Sequence, residues 1–439
     1  MEQGKTEKAM LSFIKETRTL WEYLKSAGKP IVLYGTGDGA DKVMACLAAE
    51  GIGVSGICAS DEFVRGQQFH GFTVGKYSEL LNRKEPVIAL ICFASELPEQ
   101  LERFYELARV HETYAPHVPV FPGDETVTAA WINKYEEQLK LVYDRLADED
   151  SRNVFASVLN YRMSGKLSYL KECTSSRADD LQDIFSFGDE ETYVDLGAYD
   201  GDTIQEFLNL TGHRYKKIYA VEPDPKNFKK LTAYVENKKI AGVCCVNAGV
   251  WSVPGTLELL GNGGRQSTFW QGTISEAKQF SWNNSGRREN GRDGKTEAGE
   301  TGGKSLYMGE VNVAGQLNGN ANRAAGLDAA GHKSVSIRRK KIKTHMTEVI
   351  SIDHLLESDW ASYMKFDVEG VEQEAMEGAK EHLVPDAAGK LPKLLVAAYH
   401  HDEDIFKLPL LLWKLQPGYK IYMRKHPYVP DWEINLFAR

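Results

Sequence analysis

A chain of 439 residues is too long for one ordinary core, so two or more domains are expected. Its 42% hydrophobic and 26% charged residues suit a globular protein, and a net charge of -9 argues against a general binder of nucleic-acid backbones. No apolar run approaches a membrane span, and the N-terminus lacks the apolar core of a signal peptide, so neither membrane nor secretion is expected.

Leu11, Ile14, Leu20, Tyr23 and Leu24 give the N-terminus a rough helical stripe. IVLYGTGDGADKVMACLAAEGIGVSGICASD then reads as strand, tight turn, helix and strand, followed by a strand at 86–95 and a helix from Pro98 to about Val110. The turn Gly35-Thr36-Gly37-Asp38-Gly39-Ala40 fits the dinucleotide fingerprint. In that reading Gly35 permits the turn, Gly37 the approach of a phosphate and Ala40 close packing, and Asp61 stands where a ribose would be held. Asp38 opposes a pyrophosphate, and any such fold needs small residues here merely to pack. The six cysteines form no CxxC pair and sit mostly in apolar runs, which suits a reducing cytoplasm.

Proline, glycine and polar residues cluster in FPGDETVT, placing the end of a first, Rossmann-like domain at about residue 125. Residues 126–185 read as a helical connector, and 186–439 as a second domain. Its candidate strands are YVDLGA, KIYAVEP, VCCVNAGV, YMKFDVEG, KLLVAAYH, KIYMRKH and EINLFAR. The last two are joined by HPYVPDWE, too short for a helical crossover. The fold class expected is α/β with two Rossmann-like domains, the second a mainly parallel sheet with a final antiparallel strand. A Gly-, Asn- and Ser-rich insertion at about 265–340 lacks the clustered aliphatics needed to order it and reads as mobile. The basic run Arg338-Arg339-Lys340-Lys341 has no interleaved aromatics and reads as a solvated flank.

The turn of the second domain, YVDLGAYDGDTIQEF, is acidic. Asp195 ends its strand, and Asp200, Gly201 and Asp202 follow Gly197. Such a turn repels a pyrophosphate and suits a cationic or neutral nucleoside that needs acceptors. Glu222 ends the next strand, where a carboxylate can take both ribose hydroxyls, and Asn247 follows the third, near an adenine edge.

These motifs, with SIDHLLESDWASYMKFDVEGVEQEAMEGA and AAYHHDEDIFKLPLLLWKLQPGYKIYMRKH, resemble the FkbM-type S-adenosylmethionine-dependent methyltransferases. The resemblance covers most of 193–439 outside the insertion, where this chain departs from the pattern. It implies a class I methyltransferase-type sheet, S-adenosyl-L-methionine as donor and a hydroxyl acceptor on a small molecule or carbohydrate. By it, Asp195, Gly197, Ala198, Asp200, Gly201 and Thr203 line the methionine end, Glu222 takes the ribose, and Asn247 with Ala248 lie near the adenine. The first domain resembles, more weakly, the small Rossmann-like modules found beside sugar-processing enzymes.

An alcohol acceptor must also lose its proton, to a base or through a metal. Asp367 and Glu369 end one strand, beside Lys365, and are candidate ligands of a divalent metal, although Glu369 also suits the start of the following helix. His400 ends another strand and is the candidate base, with Asp404 as the carboxylate fixing its tautomer. His401, Asp402 and Glu403 read as solvated loop residues. An NAD(P)-dependent oxidoreductase using Gly35–Ala40, or a non-catalytic scaffold binding a nucleotide-sugar or a partner, are the competing readings. The chain is expected in the cytoplasm, with homo-oligomerisation left open.

Overall fold

The computed structural model describes residues 11–119, 121, 124–260, 268–270 and 344–439, so most of the insertion expected at about 265–340 lies outside the described residues. The larger of two compact units comprises Met1–Thr256 and Glu348–Arg439. Within the smaller, Leu257–Thr347, Leu259 and Leu260 pair antiparallel with Phe269 and Thr268.

The first sheet of the larger unit is fully parallel, in the order Gly75–Lys76, Gly56–Ala59, Ile31–Tyr34, Ile88–Ile91, Glu112–Tyr114. Its central strands, IVLY and IALI, are buried along their whole length, as a sheet covered on both faces requires. Crossover helices Asp38–Ala49 and Pro98–Val110 follow two of the strands. The N-terminal stripe is only partly helical. Helix Leu20–Ser26 begins at its Thr19 cap, whereas Leu11, Phe13 and Ile14 are buried in a non-helical stretch. Asn160 holds that stretch, accepting the N–H groups of Lys15 and Glu16 and donating to the Phe13 carbonyl.

Helices Ala129–Lys134, Glu136–Arg145, Glu149–Ser164, Leu167–Cys173 and Arg177–Ile184 follow. The third is buried from Ser157 to Ser164, so its polar residues must find partners inside the protein. Ser151 accepts the Met423 N–H, Asn160 takes the N-terminal stretch, and Arg162 donates to Asp431.

The second sheet has seven strands, in the order Val243–Val246, Lys217–Val221, Thr192–Leu196, Tyr363–Phe366, Lys393–Ala397, Ile434–Ala438, Ile421–Lys425. The first five are parallel, and Ile434–Ala438 runs antiparallel to both of its neighbours. The closing hairpin thus inserts the last strand of the chain between two earlier ones. Buried aliphatic side chains of this sheet, such as Val194, Met364, Val396 and Leu436, each contribute about 1.5–3 kcal/mol.

Candidate active site

Chain reversal after Leu196 is made by a left-handed turn. Gly197, Tyr199 and Gly201 have φ of +81°, +46° and +95°. A Cβ on Gly197 would stand 2.0 Å from the Asp367 carbonyl oxygen, so glycine is required both for the turn and for contact with the neighbouring strand end. The N–H groups of Gly197 and Ala198 both donate to the Val221 carbonyl, which closes the turn onto the next strand.

Asp195 lies beneath this turn, completely buried. Its Oδ2 accepts from the Thr203 hydroxyl, and its Oδ1 is 3.6 Å from the Lys365 ammonium. Burial pushes its carboxyl upward, against the pull of Lys365 and Thr203. Asp195 braces the turn from below, and Ala198, also fully buried, has only its main chain to offer a ligand. Asp200 is half-buried at the turn itself.

Glu222 is buried at the end of the adjacent strand. Its Oε2 accepts the Tyr199 N–H at 3.0 Å and its Oε1 the Asp224 N–H at 2.9 Å. Burial nonetheless pushes its carboxyl up to about 7. Asn247 is exposed beyond the third strand, and its amide nitrogen donates to the main-chain carbonyl of Glu222. Ala248 is buried behind it. Asn247 is thus tied to the main chain of Glu222.

Lys365 is buried between two carboxylates, with Asp367 Oδ2 at 3.3 Å. Burial alone would lower its ammonium, but Asp367 and Asp195 hold it well above the ordinary lysine value. Asp367 is half-buried, and its other oxygen accepts from the Tyr399 hydroxyl at 3.3 Å. Burial disfavours its charge, yet Lys365 and His400 hold its carboxyl below the usual value. Glu369 follows in a left-handed conformation, φ +57°, which a non-glycine residue adopts at a cost. Burial pushes its carboxyl up to about 8.

His400 is buried opposite these groups, and its partner is Glu372, not Asp404. His400 Nδ1 is 2.9 Å from Glu372 Oε1, while Nε2 faces Glu369 at 3.6 Å and Asp367 at 3.8 Å. Burial opposes a charge on the ring, but the three carboxylates overcome it and push His400 up to about 10. That shift disfavours the role of free base expected from the sequence. Asp404 is buried at the start of its helix, where its Oδ2 accepts the His401 N–H, and it serves the main chain instead.

Two neighbouring expectations also change. His401 stacks on Phe121, with ring centroids 4.5 Å apart, and its Nδ1 meets Asp124 at 3.0 Å. Asp402 is buried, pairing with Nε2 of His117, whose Nδ1 meets Asp431. These partners lie more than 250 residues away, which no local pattern reveals. Glu372 left a signal. It shares the buried stripe of its helix with Ala375 and Met376, an odd place for a carboxylate.

In the first sheet, Gly37 caps the following helix and nothing lies within 4 Å of a Cβ built there. The tight approach is instead at Gly39, whose Cβ would stand 2.2 Å from the Cys92 carbonyl oxygen. Asp61 sits in a short 3₁₀ turn and accepts the Ser78 N–H, so its carboxylate is engaged at the start of helix Tyr77–Leu81.

A mainly parallel sheet ending in an antiparallel hairpin, with an acid-rich glycine turn after strand Thr192–Leu196, is a Rossmann-like fold of the methyltransferase type. Residues 195–404 match the family model of the methyltransferase FkbM domain. A crystal structure of methyltransferase FkbM from Methylobacillus flagellatus KT is 16% identical and superposes with a TM-score of 0.60, covering 98% of this chain and 94% of that one. The shared fold therefore extends over both sheets. An rRNA methylase from Streptococcus thermophilus (11% identity, TM-score 0.28, 60% of this chain and 92% of that one) is a more distant likeness. So is a precorrin-6y C5,15-methyltransferase from Geobacter metallireducens GS-15 (9%, 0.28, 60% and 91%). No curated protein matches the chain. Among the described residues, no helix is long and apolar enough to cross a membrane.

Proposed function

We propose that the chain transfers a methyl group from S-adenosyl-L-methionine to a hydroxyl oxygen of a carbohydrate or related small hydroxylated metabolite. The observation that carries this reading is the convergence of the Gly197 turn, Glu222, Asn247 and Asp367 at the carboxyl ends of four neighbouring strands. Ligands of open α/β sheets bind in that crevice.

Carboxylates outnumber cations there, which favours a sulfonium and disfavours a pyrophosphate. Glu222 is placed to accept the ribose hydroxyls, Asn247 borders the adenine, and Asp200 with the turn's main chain meets the amino-acid end. Asp195, Thr203 and Lys365 hold that turn in shape. Transfer forms an O–C bond as the C–S bond breaks, with the electron pair passing to sulfur. Alignment and exclusion of water supply much of the rate. The hydroxyl proton leaves toward the half-buried carboxylate of Asp367.

Calorimetric titration tests this reading. Saturable binding of S-adenosylhomocysteine without binding of NAD(P) supports it. Binding of NAD(P) alone would transfer the function to the first sheet, and binding of neither would favour a scaffold.

A further inference from the structure

His400 holds a geometry that methyl-donor binding does not use. It is buried, and its Nε2 points between Asp367 Oδ1 and Glu369 Oε2 at 3.8 and 3.6 Å. Those separations exceed a hydrogen bond. They are the spacing of two ligands that share one ion through bonds of about 2.1 Å. The opposite ring nitrogen stands 2.9 Å from Glu372 Oε1 as an ion-pair contact without hydrogen-bond geometry, and that oxygen accepts the Val368 N–H. Glu372 is itself buried, and its Oε2 has no hydrogen-bond partner among the described residues. Asp367, Glu372 and His400 each present a ligand atom, and these lie within 4.8 Å of one another.

The surroundings are acidic, with the carboxyl groups of Asp195, Asp367, Glu369 and Glu372 around Lys365 and His400. Lys365 takes one oxygen of Asp367, and the other faces His400 while accepting from the Tyr399 hydroxyl at 3.3 Å.

We infer that Asp367 and His400 Nε2 bind one divalent cation, with Glu369 at its open side and Glu372 against the opposite ring nitrogen. Binding displaces the imidazole proton from Nε2 to solvent. A mixed oxygen and nitrogen ligand set suits manganese or zinc better than calcium. Two protein ligands leave coordination positions for adjacent oxygen atoms. Resting on the methyltransferase reading, this narrows the acceptor to compounds with neighbouring hydroxyls, one of which the cation would acidify.

The experiment titrates Mn²⁺, Mg²⁺ and Zn²⁺ separately into the chelator-treated full chain, with and without S-adenosylhomocysteine. One saturable Mn²⁺ or Zn²⁺ site per chain is expected. His400→Gln and Glu372→Gln should each weaken it about 10- to 100-fold while S-adenosylhomocysteine binds as in the unaltered chain. Absence of saturable binding to the unaltered chain overturns the inference whatever the variants do, as does equal affinity in folded variants. Metal binding without S-adenosylhomocysteine binding would keep the cation site and sink the donor reading alone.

Discussion

Replacing Glu222 with glutamine separates donor binding from folding. In the native turn each carboxylate oxygen accepts one main-chain N–H, from Tyr199 at 3.0 Å and Asp224 at 2.9 Å. Glutamine has one acceptor oxygen, so its amide group must face the other N–H, at a cost of about 1–3 kcal/mol. Against this, burial pushes Glu222 up from 4.5 to about 7, so its ionised form is destabilised by roughly 3 kcal/mol. The folded value lies above the unfolded one. The favourable contribution of the protonated acid is therefore complete below about 4.5 and is lost as pH rises through about 7. At pH 8 the two effects of Glu222→Gln nearly offset, and stability should stay within about 2 kcal/mol of the unaltered chain. The variant should gain relative stability between pH 5 and pH 8. Donor binding has no such offset. Losing one charge-assisted hydrogen bond to a ribose hydroxyl, worth about 1.5–3 kcal/mol, should weaken S-adenosylhomocysteine about 10- to 150-fold. Calorimetry at pH 8 and denaturant unfolding at both pH values measure the two quantities. A folded variant with undiminished affinity would refute the ribose assignment, and a stability gap that ignores pH would refute the burial argument.

Gly197→Ala should cost at least about 1–2 kcal/mol for the left-handed backbone, before overlap with the Asp367 carbonyl 2.0 Å away is counted. Loss of S-adenosylhomocysteine binding is expected, and native melting temperature with native affinity would contradict it. His117→Gln leaves Arg162 as the remaining cation beside Asp402 and Asp431, and should destabilise the protein by about 1–3 kcal/mol. Burial opposes the charge on His117, but the two carboxylates push it up to about 10 from 6.5. Its contribution is then complete below about 6.5 and lost as pH rises through about 10, so the stability gap should shrink between pH 6 and pH 10. A gap that widens over that range would count against the imidazolium. In the first sheet, Gly37→Ala should leave stability within about 0.5 kcal/mol, whereas Gly39→Ala must push back the Cys92 main chain. Equal melting temperatures for the two variants would show that the turn is not held by packing at Gly39.

Local patterns in the chain were enough to determine the two alternating sheets, the antiparallel hairpin and the acidic turn. Strand periodicity, glycine spacing and the shortness of HPYVPDWE are properties of neighbouring residues. They also bring Asp195, Glu222, Asn247, Asp367 and His400 to strand ends, since each follows an apolar run. Tertiary structure decided what each group does there. Asp195 turned out to brace the turn because Thr203 and Lys365 close over it. His400 took Glu372 as its partner, because a helix stripe buries that carboxylate against the ring. Its upward shift follows from three carboxylates drawn from another strand end, and His401 and Asp402 are bound by residues from the first half of the chain. Charge state depends on distance through space and on burial, and neither is written in the order of the residues.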